Sequence, residues 1–204
     1  MSHLTLYSAP GTCALAVRIA LLEAQAPHDV VTLDLPNAQQ RSPEYLAINP
    51  KGRVPALVTE QGILTETSAL LLYVAQRFPA ARLAPLDDPF ALARMQELHS
   101  YLASTVHVAH AHGRRAARWA DEPSSHKDMR RKMPQNMVEC FNVIEQHYLQ
   151  GPWALGEAYS VADAYLFTVA SWLESDGVDI ALFPKVTAHT QRMLERPAVQ
   201  RALA

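Results

Sequence analysis

Apolar residues in the N-terminal part of the chain switch between the spacing of strands and the spacing of helices. Apolar residues alternate with other residues over 4–6 and again over 31–35, which predicts two strands. Between them, apolar residues recur at helical spacing over 15–22 after a Pro-Gly turn, which predicts a helix. This alternation is typical of βαβ units that share one sheet.

The rest of this region predicts a second group of helix, strand, strand and helix. Residues 42–44, Ser-Pro-Glu, have the residue types of a helix start. Strand patterns over 54–59 and 63–65 are separated by a short polar link, and a helical pattern follows over 67–78. This order predicts a single four-stranded sheet with helices on its faces, as in a thioredoxin-like domain.

After a stretch at 80–88 that is rich in Pro and Asp, strand patterns end and long helical patterns begin. The helical patterns cover 90–119, 125–149, 161–174 and 186–203, the last of them divided by Pro197. Ser160 and Asp163 form a capping-box-like start for the third pattern. The sequence therefore predicts an α/β thioredoxin-like domain at 1–79, a linker at 80–88 and an all-α helical bundle domain at 89–204.

Composition and charge narrow the function classes. The chain has 204 residues, of which 49% are hydrophobic and 19% charged, a composition typical of a folded protein. Its formal net charge of -2 argues against nucleic acid or an anionic membrane as partner. It has no apolar run of the length that a membrane helix needs, and its first residues lack a signal-peptide pattern, so we expect a cytoplasmic protein. Its two cysteines, Cys13 and Cys140, lie too far apart to predict a disulfide framework or a zinc site.

Cys13 stands where a predicted strand and a Pro-Gly turn run into a helix, with Thr12 as the natural N-cap. Free amides and the positive end of the helix dipole stabilise negative charge there, so we expect the pKa of the Cys13 thiol to be lowered. The same position would suit the thiolate of another molecule, and a small packed residue is the alternative. Cys140, inside a helical pattern, is predicted to be core and has no assigned role.

Two further segments place polar groups at the ends of strands. Pro55 opens a predicted strand, which indicates a sheet edge, a bulge or a special turn, with a cis bond after Val54 as one option. Glu66, Thr67 and Ser68 lead from a strand into a helix and bring together an acid, hydroxyls and free amides. Such a combination binds the ammonium and the carboxylate of an amino acid, but an ordinary N-cap has the same residue types.

Histidines and arginines crowd one predicted helix of the second domain. His107 and His110 share a helix face, but His112 lies elsewhere and no carboxylate or cysteine joins them, so no metal site is predicted. We expect solvated or interface histidines instead. The basic cluster over 114–118 is predicted to form a polar helix face with some affinity for anions.

Four segments, in chain order, resemble the bacterial beta-class glutathione transferases. Residues 6–15, LYSAPGTCAL, are similar to the start of these proteins, where a cysteine follows a Pro-Gly turn. Residues 48–57, INPKGRVPAL, resemble the segment with the family's cis-proline; 64–68, LTETS, resemble its γ-glutamyl-binding turn; and 160–163, SVAD, resemble its capping box. On these segments the chain is identified as a member of that superfamily.

The resemblance implies a site for reduced glutathione as co-substrate, with no metal. It implies that Val54 pairs its backbone with the cysteinyl part of glutathione and that Glu66 and Thr67 hold the γ-glutamyl end. It also implies that Cys13 faces the glutathione thiol. A small electrophilic or disulfide substrate is then expected to enter from the side of the helical domain, and a homodimer is implied as well.

The second domain and the loop after the second strand complete the implied site. Ser104 and His107, three residues apart on a predicted helix, match a family pair that reaches across the cleft to glutathione, and His107 is expected to help stabilise a thiolate. Members of the class often place a lysine after the second strand to meet the glycyl carboxylate of glutathione. This chain has none there, so we expect either a lower affinity for glutathione or a substitute at Asn37, Gln39 or Arg41.

The expected activity is conjugation of reduced glutathione to small hydrophobic electrophiles, with Cys13 supporting the glutathione thiolate. Alternatives are thiol–disulfide exchange through a Cys13 mixed disulfide, and a non-catalytic member of the fold that binds partners. Tyr7 is a rival thiol activator, since some branches of the superfamily use a tyrosine at the end of the first strand. Trp119, Tyr165 and Trp172 either line the electrophile pocket or belong to the core.

Overall fold

A four-stranded mixed sheet with helices on its faces forms the N-terminal domain of the computed structural model, which describes residues 3–204; Met1 and Ser2 of the predicted domain lie outside the described residues. Its elements are β1 (Leu4–Ser8), α1 (Ala14–Glu23), β2 (His28–Thr32), α2 (Pro43–Ile48), β3 (Ala56–Thr59), β4 (Gly62–Thr65) and α3 (Thr67–Arg77). The strand order is β2-β1-β3-β4, with β2 parallel to β1 and the other two pairs antiparallel. The predicted thioredoxin-like arrangement is therefore confirmed.

The second strand lies earlier in the chain than the pattern over 31–35 predicts. β2 begins at His28, which pairs with the first residue of β1. Val31 is exposed because β2 is an edge strand. The buried Leu33 follows the strand and continues the pairing with one hydrogen bond, from its N–H to the carbonyl of Ser8 at 2.8 Å. The alternating pattern therefore marks the end of β2 rather than its centre.

The second domain is all-helical, as predicted. Its helices are α4 (Pro89–Tyr101), α5 (His107–Arg114), α6 (Pro123–Val143), α7 (Val161–Ala170), α8 (Pro184–Leu194) and α9 (Pro197–Leu203). A π-helical turn at Leu102–Val106 joins α4 to α5, and a second one at Ile144–Tyr148 extends α6. The pattern over 90–119 predicts too long a helix, since α5 ends at Arg114 and a 3-10 turn follows at Ala116–Arg118. Over residues 3–204, no helix combines the length and apolar character needed to cross a membrane.

Helix α7 is the centre of the core and is buried along its whole length. Oγ of Ser160 accepts a hydrogen bond from the N–H of Ala162 at 3.3 Å, and the N–H of Ser160 donates to Oδ2 of Asp163 at 2.8 Å. Oδ1 of Asp163 accepts from the N–H of Ala154 at 2.7 Å and from Nε2 of His189 at 3.0 Å. The predicted capping box is therefore present, and Asp163 ties it to the preceding loop and to α8.

The stretch at 80–88, predicted as a linker, is hydrogen-bonded to the helical domain. Pro79–Ala81 forms a 3-10 turn after α3, and the N–H of Val161 donates to the carbonyl of Leu83 at 2.8 Å. The side chain of Asp88 then caps α4. Helix α1 packs directly against α7, so the sheet domain and the helical domain share one hydrophobic interior. The division of the chain on either side of this stretch stays a prediction.

Candidate functional site

Two joined cavities lie between the sheet domain and the helical domain. Each has a volume of about 240 Å³, and both are lined by Cys13, Arg53, Val54, His107 and Arg118. The first cavity extends to the start of α3 and to Trp119 and Tyr165, two of the aromatic residues considered for a pocket. Small-molecule sites commonly occupy about 300–1,000 Å³, so the two cavities reach this size only when they are taken together.

Cys13 occupies the turn between β1 and α1, where the two cavities meet. Helix α1 begins one residue later than predicted, with Cys13 as its N-cap and Ala14 as its first residue. The hydroxyl of Thr12 donates to the carbonyl of Ala9 at 2.7 Å and accepts from the N–H of Ala14 at 3.4 Å. The turn thus holds the Cys13 sulfur 3.9 Å from the carbonyl oxygen of Val54.

The surroundings of the Cys13 thiol shift its pKa upward. Burial raises the pKa of the thiol above its ordinary value, while a hydrogen bond with Thr67, the backbone amide of Cys13 and the charge of Arg115 oppose the shift. The charge of Glu66 adds to the increase. Helix-end amides do favour a thiolate, but the removal of the sulfur from water by residues of both domains outweighs them. The prediction of a lowered pKa is wrong, and the thiol is a hydrogen-bond donor.

The loop before β3 presents its backbone to Cys13. The Val54–Pro55 peptide bond is cis. The carbonyl of the preceding residue, Arg53, accepts from the hydroxyl of Tyr45 at 2.6 Å and from Nδ2 of Asn49 at 2.7 Å, which anchors the loop to α2. Val54 itself lines both cavities. The structure therefore brings Val54 beside Cys13.

The start of α3 is the polar end of the first cavity and is lined by Glu66, Thr67 and Ser68. Glu66 has a φ of 72°, a left-handed conformation that residues with a side chain rarely adopt, and it is an N-cap without a side-chain hydrogen bond. The first amides of α3 therefore lack a capping side chain and favour a bound carboxylate. The carboxylate of Glu66 pairs with Lys51, whose Nζ also donates to the hydroxyl of Thr65 at 2.6 Å.

His107 lines both cavities from α5 and is supported by aromatic neighbours. Its ring lies 5.0 Å from the ring of Trp172, which is buried in the core, and the ring of His110 stacks on the same indole at 4.5 Å. Burial lowers the pKa of His107 to about 4, and the charges of His110 and of nearby arginines add to the decrease. His107 is therefore a neutral imidazole at neutral pH.

The other histidines of α5 do not join His107 at one site. Nδ1 of His110 bonds to the buried carboxylate of Asp176 at 2.7 Å, so His110 is a paired, largely buried residue and the expectation of a solvated or interface histidine is corrected. His112 instead packs on Trp119, with the rings 4.5 Å apart. In the part of the chain that the structure describes, no group of three His, Cys, Asp or Glu side chains is arranged to hold a metal ion.

Two residues considered from the sequence lie outside these cavities. Ser104 is exposed in a separate groove of the helical domain, and its hydroxyl donates to the carbonyl of Ser100 at 2.7 Å. The expectation that Ser104 and His107 face the same cleft is corrected, because the π-helical turn has more residues per turn than an α-helix and rotates their side chains apart. Tyr7 packs on Tyr45, with the rings 5.5 Å apart, and does not line either cavity.

The expected substitutes for the lysine after β2 differ in position. The side chain of Asn37 donates to Asp34 at 2.7 Å, and the side chain of Gln39 accepts from the Asp34 N–H at 2.7 Å, so both serve a local turn. Arg41 packs on Gly52, a wall residue of the second cavity. A Cβ built at Gly52 would lie only 2.9 Å from Nη1 of Arg41, so the arginine is close to this glycine. Of the three candidates, Arg41 is the one beside the cavity.

Further arginines line the second cavity and were not predicted as site residues. These are Arg53, Arg115 and Arg118. Arg53 could have been predicted from the sequence, because it directly precedes the Val54–Pro55 segment that was assigned to the site. Arg115 and Arg118 belong to the basic cluster over 114–118, but the end of α5 and the following 3-10 turn decide that these two reach the cavity.

Family comparisons cover both domains. A family model described as Glutathione S-transferase, N-terminal domain, matches residues 2–76, and one described as Glutathione S-transferase, C-terminal domain, matches 102–197. The Glutathione S-transferase GstA of Escherichia coli O157:H7 is 32% identical, over 98% of this chain and 96% of its own length.

Solved structures share the whole fold. A glutathione transferase homolog from Sulfitobacter, with bound glutathione, is 51% identical with a TM-score of 0.97, over 100% of this chain and 98% of that chain. A bacterial beta class glutathione S-transferase from Sphingomonas chungbukensis is 31% identical with a TM-score of 0.85, over 98% of this chain and 96% of that chain. The chain therefore belongs to the glutathione S-transferase family and is an enzyme of that family.

Proposed function

We propose that this protein conjugates reduced glutathione to small hydrophobic electrophiles. The observation that carries the proposal is the buried Cys13 thiol at the junction of the two cavities. The backbone of Val54 and the uncapped start of α3 line the same space. These groups match the thiol, the cysteinyl backbone and the γ-glutamyl end of one tripeptide.

Each group has a defined task in this reaction. Glu66 accepts a hydrogen bond from the γ-glutamyl ammonium group, and the amides and hydroxyl at Thr67 bind the adjacent carboxylate. Val54 pairs its backbone with the cysteinyl residue. The Cys13 thiol and a ring N–H of the neutral His107 donate to the glutathione sulfur, so that they stabilise its thiolate form. Bound glutathione supplies the nucleophile.

The apolar part of the first cavity provides the place for the electrophile. Val108, Ala111 and Trp119 line it from the helical domain, on the side from which the second substrate is expected to enter. Apolar walls with a few polar groups are typical of small-molecule sites. We place the reaction in the cytoplasm, where thiols are kept reduced.

The state of Cys13 favours conjugation over thiol–disulfide exchange. In exchange, the attacking group is a thiolate. Burial raises the pKa of the Cys13 thiol, so it is less readily converted to a thiolate than an exposed cysteine. A protonated thiol donates a hydrogen bond to a neighbouring thiolate without becoming the nucleophile itself. Cys13 therefore supports glutathione as the attacking group.

Calorimetric titration with reduced glutathione tests this site. We expect saturable binding by the wild type and an affinity at least about tenfold lower in Glu66→Ala, because a charge-assisted hydrogen bond is lost. Glu60→Ala is the matched control, since Glu60 is an exposed acid of the β3–β4 link outside both cavities. No binding by the wild type at millimolar glutathione would contradict the proposal and favour the non-catalytic hypothesis.

We also propose that the protein is a homodimer, as the family resemblance implies. Phe90 is 77% exposed, and Ile63 and Leu64 on the edge strand β4 are exposed as well. Contact with a second subunit would remove this apolar surface from water. Because Ser104 lies outside its own cavity, a contact between Ser104 and glutathione would be made in the cleft of a partner subunit.

Sedimentation velocity tests the homodimer. We expect a dimer for the wild type and a shift toward monomer for Phe90→Glu, because a charge would be desolvated in the interface. Leu182→Glu is the matched control, since Leu182 is another exposed apolar residue, at 61% exposure. A wild type that sediments as a monomer at assay concentrations would contradict the homodimer.

A further inference from the structure

Three arginines line the second cavity, Arg53, Arg115 and Arg118, and Arg41 packs on its wall residue Gly52; we call these four residues the arginine cluster. Among residues 3–204, no acidic side chain forms an ion pair with any of the four. Other arginines do form such pairs, namely Arg77, Arg94, Arg114, Arg131 and Arg196. The arginine cluster is therefore a concentration of positive charge without an ion-pair partner among the described residues.

Repulsion within the arginine cluster is evident at Arg118. Burial lowers the pKa of Arg118, and the charges of Arg115, Arg53 and Arg41 lower it further. The charges of Arg115, Arg118 and Arg53 also lower the pKa of His107 on the same wall. Like charges held close together favour a bound anion, because the anion replaces repulsion with attraction.

Bound glutathione would not pair with all four arginines of the cluster. Its γ-glutamyl carboxylate is assigned to the start of α3, so one glycyl carboxylate remains for the arginine cluster. Arg53 and Arg41 belong to the sheet domain and lie beside Gly52, near the loop where a lysine is expected in this class. Arg115 and Arg118 come from the helical domain, the side on which the electrophile is expected.

We propose that the electrophile carries an anionic group, in the simplest case a carboxylate, and that Arg115 and Arg118 bind it. This inference rests on the proposed conjugation and specifies its second substrate. Arg53 and Arg41 then take the glycyl carboxylate, and the apolar part of the electrophile lies against Trp119, which lines the first cavity together with Arg118. Bidentate pairing makes arginine well suited to hold a carboxylate in a fixed orientation.

An aryl chloride that bears a carboxylate illustrates the balance of the reaction. The glutathione sulfur forms a bond to the ring carbon that carries chlorine. The carbon–chlorine bond then breaks, chloride leaves with the electron pair, and the thiol proton passes to solvent. No oxidant or reductant is needed, and the carboxylate keeps its charge throughout.

Calorimetry with the stable products tests this proposal without depending on turnover. The ligands are glutathione, its conjugate with a chloronitrobenzoate, and its conjugate with the corresponding chloronitrobenzamide, which replaces the carboxylate by a neutral amide. We expect the wild type to bind the carboxylate conjugate about tenfold more tightly than the amide conjugate. Arg115→Gln and Arg118→Gln should each remove most of this preference, so that each lowers the affinity for the carboxylate conjugate more than the affinity for the amide conjugate or for glutathione.

Arg130→Gln is the matched control, since Arg130 is an exposed arginine of α6 outside both cavities, and it should keep the preference. Added salt should weaken the preference, because partly exposed charges are screened. Equal affinities of the wild type for the two conjugates would overturn the proposal. Equal losses for glutathione and both conjugates in the arginine variants would also overturn it. A wild type that does not bind glutathione would overturn the proposed function itself.

Discussion

Replacement of Asp163 by alanine is expected to lower the free energy of unfolding by about 3–5 kcal/mol. The fully buried carboxylate accepts hydrogen bonds from the backbone of Ser160, the backbone of Ala154 and the ring of His189. Alanine would leave these donors unpaired in the core and would remove one half of the capping box of α7. Denaturant unfolding followed by circular dichroism measures the loss, and thermal unfolding should show a midpoint lower by roughly 10 °C.

Asp179→Ala is the matched control for this prediction. Asp179 is also an N-cap, whose side chain accepts from the N–H of Ala181 at 2.9 Å, but it is exposed and starts a short 3-10 turn. We expect it to cost about 1 kcal/mol, the usual value for a cap. If Asp163→Ala loses no more stability than Asp179→Ala, the hydrogen bonds of the buried Asp163 do not stabilise the fold as predicted.

Substitution of Cys13 is expected to separate the two chemistries that the sequence leaves open. Cys13→Ser keeps a hydroxyl donor toward the glutathione sulfur, so conjugation should fall by less than about tenfold, whereas exchange through a mixed disulfide should disappear. Cys13→Ala removes the donor, and kcat/KM for conjugation should fall by about 10- to 100-fold. Conjugation of a chlorodinitrobenzene, reduction of hydroxyethyl disulfide and mass spectrometry for a glutathione adduct measure these effects.

Cys140→Ala is the matched control, because Cys140 is the other buried cysteine and lies outside both cavities. Its conjugation activity should equal that of the wild type. A Cys13→Ser variant as inactive in conjugation as Cys13→Ala, with unchanged affinity for glutathione, would show that the sulfur atom itself reacts. In that case thiol–disulfide exchange, or another covalent route through Cys13, would replace the proposed function.

Local signals in the sequence determined where most of the helices and strands begin. The prediction of a helix start at 42–44 is confirmed, because Oγ of Ser42 accepts from the N–H of Tyr45 and Pro43 is the first residue of α2. The capping box at 160–163 depends likewise on hydrogen bonds between residues two or three positions apart. Interactions of this range are encoded by neighbouring residues, so sequence patterns predict them well.

The start of β2 and the direction of the Ser104 side chain could not be predicted from sequence patterns. Pairing with β1 decides where β2 begins, and that pairing joins residues far apart in the chain. The direction of Ser104 is decided by the π-helical turn at Leu102–Val106. A prediction from residue spacing assumes a regular α-helix. One widened turn changes which side chains share a face of the helix.

The sequence by itself thus determined the order of elements, the two-part architecture and the segments that supply Cys13, Val54 and Glu66 to the site. The tertiary structure alone decided that burial raises rather than lowers the pKa of the Cys13 thiol and that arginines from both domains converge on one cavity. The physical reason is that burial and the proximity of charges depend on residues distant in the chain, whereas periodicity and caps depend on neighbours.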